Sequence, residues 1–399
     1  MRILVLHSRY LSGALSGENR VVDDELRILR EAGHDVVAWE PSVGPDASTL
    51  RLATDAVWSR TAAREVQIIV REHRPEIVHV HNLFPRLSPV VLRAVPSSTP
   101  TLMSLHNFRL MCLPATYLRD GKVCEACAGR VPWRGVLHAC YRGSRGASGA
   151  LGTSLALHRA IRTFERVDAF LAVSRFVRDK HVEAGFDPKR IHVKSNFSWS
   201  SERRVGPGGP VLFLGRIDHQ KGLDVVLRAL PRGLKLLVAG DGPERAGLEH
   251  GANPDTTFLG PVDPSGVYDL LRRARALAVP SRGHEGQPRV ILEAFAVGVP
   301  VLASRIGGLP ELVEHDVNGY LVEPDDARGW TEALERMSDD ETSLRLGAGA
   351  YRTWERSYTP EIAIRELEDG YSAALAASRP SRRAWPSGPD GHGYPRADG

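Results

Sequence analysis

Short, mostly apolar runs alternate with amphipathic helical patterns through nearly all of this chain, and the alternation starts twice. Ile3–Leu6, Val36–Trp39, Ile77–Val80, Thr101–Leu105 and Phe170–Val173 end in polar or glycine residues, with helical stretches such as Val21–Ala32 and Ala62–Glu72 between them. Runs this short are buried strands, and strands buried on both faces need helices above and below, as in a parallel sheet. The segment 205–210, V-G-P-G-G-P, then reads as a linker. Beyond it the pattern restarts with strands at Val211–Leu214, Lys235–Ala239, Thr257–Leu259, Ala276–Val279 and Pro300–Ala303. Helices are expected at Gly222–Leu230, Ser265–Arg273 and Val290–Val297. The fold class is therefore α/β, two Rossmann-like doubly wound domains, with boundaries near 1–204 and 205–358. A length of 399 residues fits two or three domains at roughly 150 each. Ligands of such sheets bind outside the carboxyl ends of the strands, so a ligand between two domains meets both sets of loops.

Residues 280–298, P-S-R-G-H-E-G-Q-P-R-V-I-L-E-A-F-A-V-G, follow one such strand end. Glu285 and Glu293 lie eight residues apart, and Pro288 stands where a helix should begin. Free backbone N–H groups of Gly286, Gln287, Arg289 and Val290, with Pro288 setting the helix start, and the positive end of the helix dipole suit a phosphate or diphosphate there. Glu293 would project from the second turn toward a sugar next to the phosphate, and Glu285 would stay in the loop. The plain alternative is that both are solvated surface charges.

Gly215 and Arg216 follow the first strand of the second half, and Lys221 comes five residues after Arg216. Two cations at a glycine turn can bind both phosphates and neutralise a departing diphosphate; alternatively they form a surface ion pair. Gly240, in G-D-G-P, ends the next strand but lacks the third glycine of a dinucleotide fingerprint.

These stretches, with F-L-G-R-I-D-H-Q-K-G (213–222), V-A-G-D-G-P-E (238–244) and P-V-L-A-S-R-I-G-G-L-P-E-L-V (300–313), resemble the retaining glycosyltransferases of family 4, which have the GT-B fold. Glu285 and Glu293 match that family's E-x7-E motif. The likeness runs in order to about residue 375. It implies two domains facing a central cleft, and a helix at 359–377 crossing back to brace the first. It also implies transfer of a sugar from a nucleotide sugar with retention and without a metal in the chemistry. Arg216 and Lys221 would bind the diphosphate, Glu285 the sugar and Glu293 the ribose. Backbone groups at Leu259 and Val262 would receive the base. Gly17, in the stretch 11–19, matches the family's glycine loop, although Ser16-Gly17 replaces its glycine pair. His106 matches a histidine beside the transferred sugar, and Asn107 stands where many relatives have Asp. The bland reading of His106 is a packed or capping residue; His81 and Asn82 are weaker candidates. The implied acceptor is a glycan or lipid-linked glycan. A nucleotide-sugar epimerase and a non-catalytic scaffold remain alternatives.

Cys112, Cys124, Cys127 and Cys140 fall in an insert at about 109–142, spaced C-x11-C-x2-C-x12-C, with His138 near the last. The C-x2-C turn suits tetrahedral zinc, with free thiols or an iron–sulfur cluster as alternatives. A subset of the family carries a similar insert after H-N-[FY]-R-L, here His106–Leu110. Residues 101–200 hold 16 basic and 7 acidic side chains within a chain of net charge +4. That concentration suggests a solvated basic face or contact with an anionic membrane. No nucleic-acid motif accompanies it. The mixed apolar and arginine stretch Ala150–Phe164 reads as a core helix or an interfacial one. The N-terminal apolar run is too short for a signal peptide, so a cytoplasmic protein is expected. Residues 378–399, rich in Pro, Gly, Ser and Arg, are expected to be disordered.

Overall fold

The computed structural model describes residues 1–9, 16–42, 48–199 and 202–378. Most of the disordered stretch expected at the C-terminus, and residues 11–15 of the glycine loop, lie outside the described residues.

The first half runs β1 (Arg2–Leu6), α1 (Gly17–Glu31), β2 (Asp35–Trp39), α2 (Thr49–Trp58), α3 (Arg60–His73), β3 (Ile77–Val80), α4 (Val91–Ala94) and β4 (Thr101–Leu105). The cysteine insert follows, with a small hairpin β5 (Leu118–Arg119) and β6 (Lys122–Val123), then α5 (Trp133–Leu137). The domain continues with α6 (Arg145–Ala160), β7 (Ala169–Ala172), α7 (Arg175–Glu183) and β8 (Ile191–Val193). The second half comprises β9 (Val211–Leu214), α8 (Leu223–Ala229), β10 (Leu236–Ala239), α9 (Arg245–His250), β11 (Thr256–Gly260), α10 (Pro264–Arg273), β12 (Ala276–Val279) and α11 (Arg289–Ala296). It ends with β13 (Val301–Ser304), α12 (Leu309–Leu312), β14 (Gly319–Val322), α13 (Ala327–Arg336), α14 (Asp340–Ser357) and α15 (Pro360–Ala377).

Each half forms a six-stranded sheet, ordered β2-β1-β3-β4-β7-β8 and β11-β10-β9-β12-β13-β14. Every pairing in both sheets is parallel. The period of two along a strand sends Leu4 and Leu6 into one apolar layer and Ile3 and Val5 into the opposite one. Leu212 and its neighbours Val211 and Phe213 split the same way in the second sheet. Serine caps begin several helices: Ser16, Ser59, Ser144 and Ser174 each accept a first-turn backbone N–H of α1, α3, α6 and α7.

Helix α15 belongs spatially to the first domain. Ala363, Leu367, Tyr371 and Ala374 share a core with Ile3, Val5, Leu102 and Leu171. The chain thus leaves the first domain at residue 199 or beyond and returns to it at α15. Strand order reverses between β1 and β3 in the first sheet and between β9 and β12 in the second. The carboxyl ends of those strands border the switch-point crevices where such folds hold ligands.

Candidate functional site

Three loops of the second domain meet at its switch point. Gly215 follows β9 and Gly240 follows β10; a Cβ on Gly240 would lie 1.8 Å from the Gly215 carbonyl oxygen, so only glycine permits the backbones to touch. The third loop, after β12, is held by buried Arg282, whose guanidinium binds Asp224 at 2.6 Å and Asp325 at 2.6 Å. That anchoring fixes Ser281 and Glu285. Lys221 Nζ lies 2.7 Å from Glu285 Oε1, and Ser281 Oγ donates to the same oxygen at 2.9 Å. Arg216 is 70% exposed and pairs with Asp218 at 3.0 Å. Leu259 is exposed near the end of β11, and Val262 is half-buried on the loop after it.

The helix α11 begins after Pro288, with Glu293 in its second turn. Glu293 is buried, and Oε1 takes both Arg20 Nη2 at 3.0 Å and Arg289 Nη2 at 3.4 Å. Arg289 also pairs with Asp24 of α1. Gln287 accepts the Asn196 backbone N–H through Oε1, and its carbonyl accepts from Asn196 Nδ2 at 3.1 Å. Two residues expected to face a phosphate, Gln287 and Arg289, therefore have partners in the first domain and its connecting segment. Arg216 and Glu293 differ sharply in setting, one at the solvent and one in the interior.

The opposing wall is built from β1, β3 and β4. Gly17 opens α1 behind its Ser16 cap. His106 Nε2 lies 2.9 Å from His81 Nδ1, and the rings stack at 5.2 Å. Behind His81, buried Glu25 approaches its Nε2 at 3.7 Å and binds buried Lys194 at 2.5 Å. His79 touches Tyr371 Oη at 3.1 Å and Ser104 Oγ at 2.9 Å. Burial pushes His106 and His79 down to about 3 and His7 down to about 4, so these imidazoles are neutral near pH 7. A neutral His106 can bond a hydroxyl but brings no charge. Asn107 Nδ2 donates to Glu18 at 3.0 Å, and burial pushes the Glu18 carboxyl up to about 7.

Among the described residues, Glu25, His79 and His81 are the one trio whose ligand atoms all lie within 4.8 Å of one another. Lys194 already occupies Glu25, and both His79 nitrogens have partners, so the trio reads as an internal polar network. Sequence reasoning passed over Glu25, Lys194, Arg20 and Asp24. Glu25 did leave a signal: it falls on the buried stripe of α1 with Val22 and Leu29, where a carboxylate needs a partner.

The four cysteines line a single small cavity with Leu113, Arg119, Ala126 and Arg134. All are free thiols, and burial pushes Cys112 up to about 11 and raises Cys127 and Cys140. The four thiols line one void, but among the described residues no three of their sulfur atoms lie within 4.8 Å of one another, so an ion there would have to draw them inward. His138 is exposed and outside that lining.

Helix α6 buries Leu151, Leu155 and His158, and Arg159 spends its guanidinium on the carbonyls of Arg130 and Leu110. The core-helix reading of this stretch thus fits Leu151 and Leu155, while Leu157 is exposed. Exposed apolar side chains also sit next to it on α5, with Trp133 at 55% and Leu137 at 57% exposure. No helix among the described residues is long and apolar enough to cross a membrane.

Comparison with known proteins agrees with this fold. Residues 15–197 match the family model Glycosyltransferase Family 4, and residues 209–340 match Glycosyl transferases group 1. The chain is 35% identical over 221 residues to D-inositol 3-phosphate glycosyltransferase of Saccharomonospora viridis, covering 50% of this chain and 51% of that one. In that match it spans about half of the relative's length. It is 28% identical to glycogen synthase of Mycobacterium tuberculosis over 88% of this chain and 89% of that protein. Sucrose-phosphate synthase from Thermosynechococcus elongatus shares its fold with a TM-score of 0.71 at 17% identity, over 94% of this chain and 100% of that one. HepE of Anabaena, solved with UDP and glucose, does so with a TM-score of 0.62 at 17% identity over the same shares. With the two family models matched in order over residues 15–197 and 209–340, the chain belongs to the family 4 glycosyltransferases.

Proposed function

We propose that the protein moves a sugar from a nucleoside-diphosphate donor to a glycan or lipid-linked acceptor, with retention at the anomeric carbon. The observation that carries this reading is the Lys221–Glu285 pair at the switch point of the second sheet, 2.7 Å apart, on a loop whose residues His284 and Gly286 touch the first domain. As the glycosyl bond breaks, negative charge grows on the diphosphate. Lys221, Arg216 and the amides at Gly286–Val290 would stabilise it with no metal in the chemistry. Glu285 would accept hydroxyls of the sugar. Glu293 would use Oε2 for the ribose, because its two arginines both contact Oε1. Neutral His106 would bond the sugar from the opposite wall, Gly17 would approach the phosphate or acceptor, and Leu259 and Val262 would border the base. Front-face and double-displacement routes both fit two carboxylates.

Cys112, Cys124, Cys127 and Cys140 would hold a structural zinc that shapes the acceptor side. Trp133, Leu137 and exposed Val131, among Arg130, Arg134 and Arg142, would give the insert contact with an anionic membrane from the cytoplasmic side.

The test is to offer UDP-, GDP- and ADP-sugars singly and measure nucleoside diphosphate release. One donor class should be consumed, and Lys221→Ala should slow it about 100- to 1000-fold. Failure to release or bind any nucleoside diphosphate would end the donor reading and leave the scaffold alternative.

A further inference from the structure

The loop bearing Glu285 is gripped on both sides by the other domain. His284, immediately before it, projects out of the second domain into an aromatic nest. Its ring meets Phe176 at 4.9 Å, Tyr117 at 6.2 Å and Phe108 at 6.4 Å, each edge-on. Aromatic pairs favour this edge-to-face geometry. Gly286, immediately after Glu285, lies so close to the first domain that a Cβ would meet Val177 Cγ2 at 3.1 Å and the His106 carbonyl oxygen at 3.4 Å. Within its own domain, the Glu285 carbonyl accepts from Gly308 N–H at 2.8 Å.

The polar end of His284 meets the cysteine insert. Its Nε2 lies 3.3 Å from Glu125 Oε1, which also binds Lys180 Nζ of α7 at 2.9 Å. Glu125 stands inside the C-x2-C turn, between Cys124 and Cys127. A residue of the turn that borders the thiol cavity therefore touches the residue next to Glu285. Nothing in the chemistry of sugar transfer requires such a bridge.

We infer that Glu125 and His284 form a latch through which the folded cysteine insert holds Glu285 in place, making both positioning residues. Disturbing the thiol turn then shifts Glu125, frees His284 and loosens the loop at 281–290, far from any thiol chemistry of its own. The consequence for turnover rests on the donor reading above; the mechanical coupling does not.

Hydrogen exchange of full-length protein without nucleotide tests the coupling directly. Glu125→Ala, His284→Ala and Cys127→Ser should each speed exchange of the 281–290 peptide about fivefold or more, the scale of one lost hydrogen bond. A peptide from α13 should not change. If Glu125→Ala misfolds, Glu125→Met, which keeps the length of the side chain but offers His284 no oxygen, is read in its place. Unaltered 281–290 exchange in the Glu125 variants, or a Cys127→Ser effect confined to the insert, would overturn the latch. In donor hydrolysis, Glu125→Ala should lower kcat more than it raises KM. Wild-type protein that binds none of UDP, GDP and ADP would instead remove the donor reading while leaving the exchange result to decide the latch.

Discussion

Glu285 shares one oxygen with Lys221 and Ser281, so a neutral isostere at this position keeps the shape and removes the charge. Glu285→Gln is expected to cut donor turnover by about 100-fold or more, and a variant with near-normal turnover would take Glu285 out of the site. Gly240 makes a second prediction at this scale. Any Cβ there collides with the Gly215 carbonyl, so Gly240→Ala should destabilise the second domain by about 1–3 kcal/mol in urea denaturation. Arg216, Lys221 and Glu285 were legible because each hangs from a strand end that local pattern already located. Arg20 and Lys194 were not, since their partners Glu293 and Glu25 lie 273 and 169 residues away. No local spacing encodes such a pair.

At the level of elements, α15 does more than close the chain. Leu367 and Tyr371 fill the layer under β1, β4 and β7, and Tyr371 Oη also reaches His79. Leu367→Ala should cost about 2–5 kcal/mol, measured by chemical unfolding of the first domain, although the residue follows the second in sequence. Strands such as β1 and β9 were readable from continuous apolar runs. Strand β8 escaped because it has three residues with exposed His192 in the middle, and β14 escaped because its four residues follow an irregular stretch. The hairpin β5–β6 has two residues per strand, too few to show a period.

For the whole molecule, acid sensitivity follows from burying neutral imidazoles. His7 and His181 sit at about 4, and His79 and His106 at about 3, below the ordinary 6.5. Because the unfolded chain takes up these protons first, stability is fully present above about pH 6.5 and falls as pH drops toward 4. Each such histidine contributes a slope of up to about 1.4 kcal/mol per pH unit. Urea midpoints compared at pH 7 and pH 5 should show the loss, and His79→Gln should make it shallower. Zinc analysis of purified protein belongs to this scale too: about one ion per chain is expected, and its absence together with absent iron would remove the metal proposal.

Periodicity and turn chemistry act over a few residues, and they were enough to place two parallel sheets and the loops carrying Glu285, Arg216 and Lys221. Which faces of the two domains meet is decided by packing over hundreds of residues. Only that docking assigned Glu293 to Arg20, Gln287 to Asn196, Arg289 to Asp24 and His284 to Glu125. A buried charge takes whatever partner docking brings within about 4 Å, because leaving it unpaired costs several kcal/mol, and separation along the chain does not enter that balance.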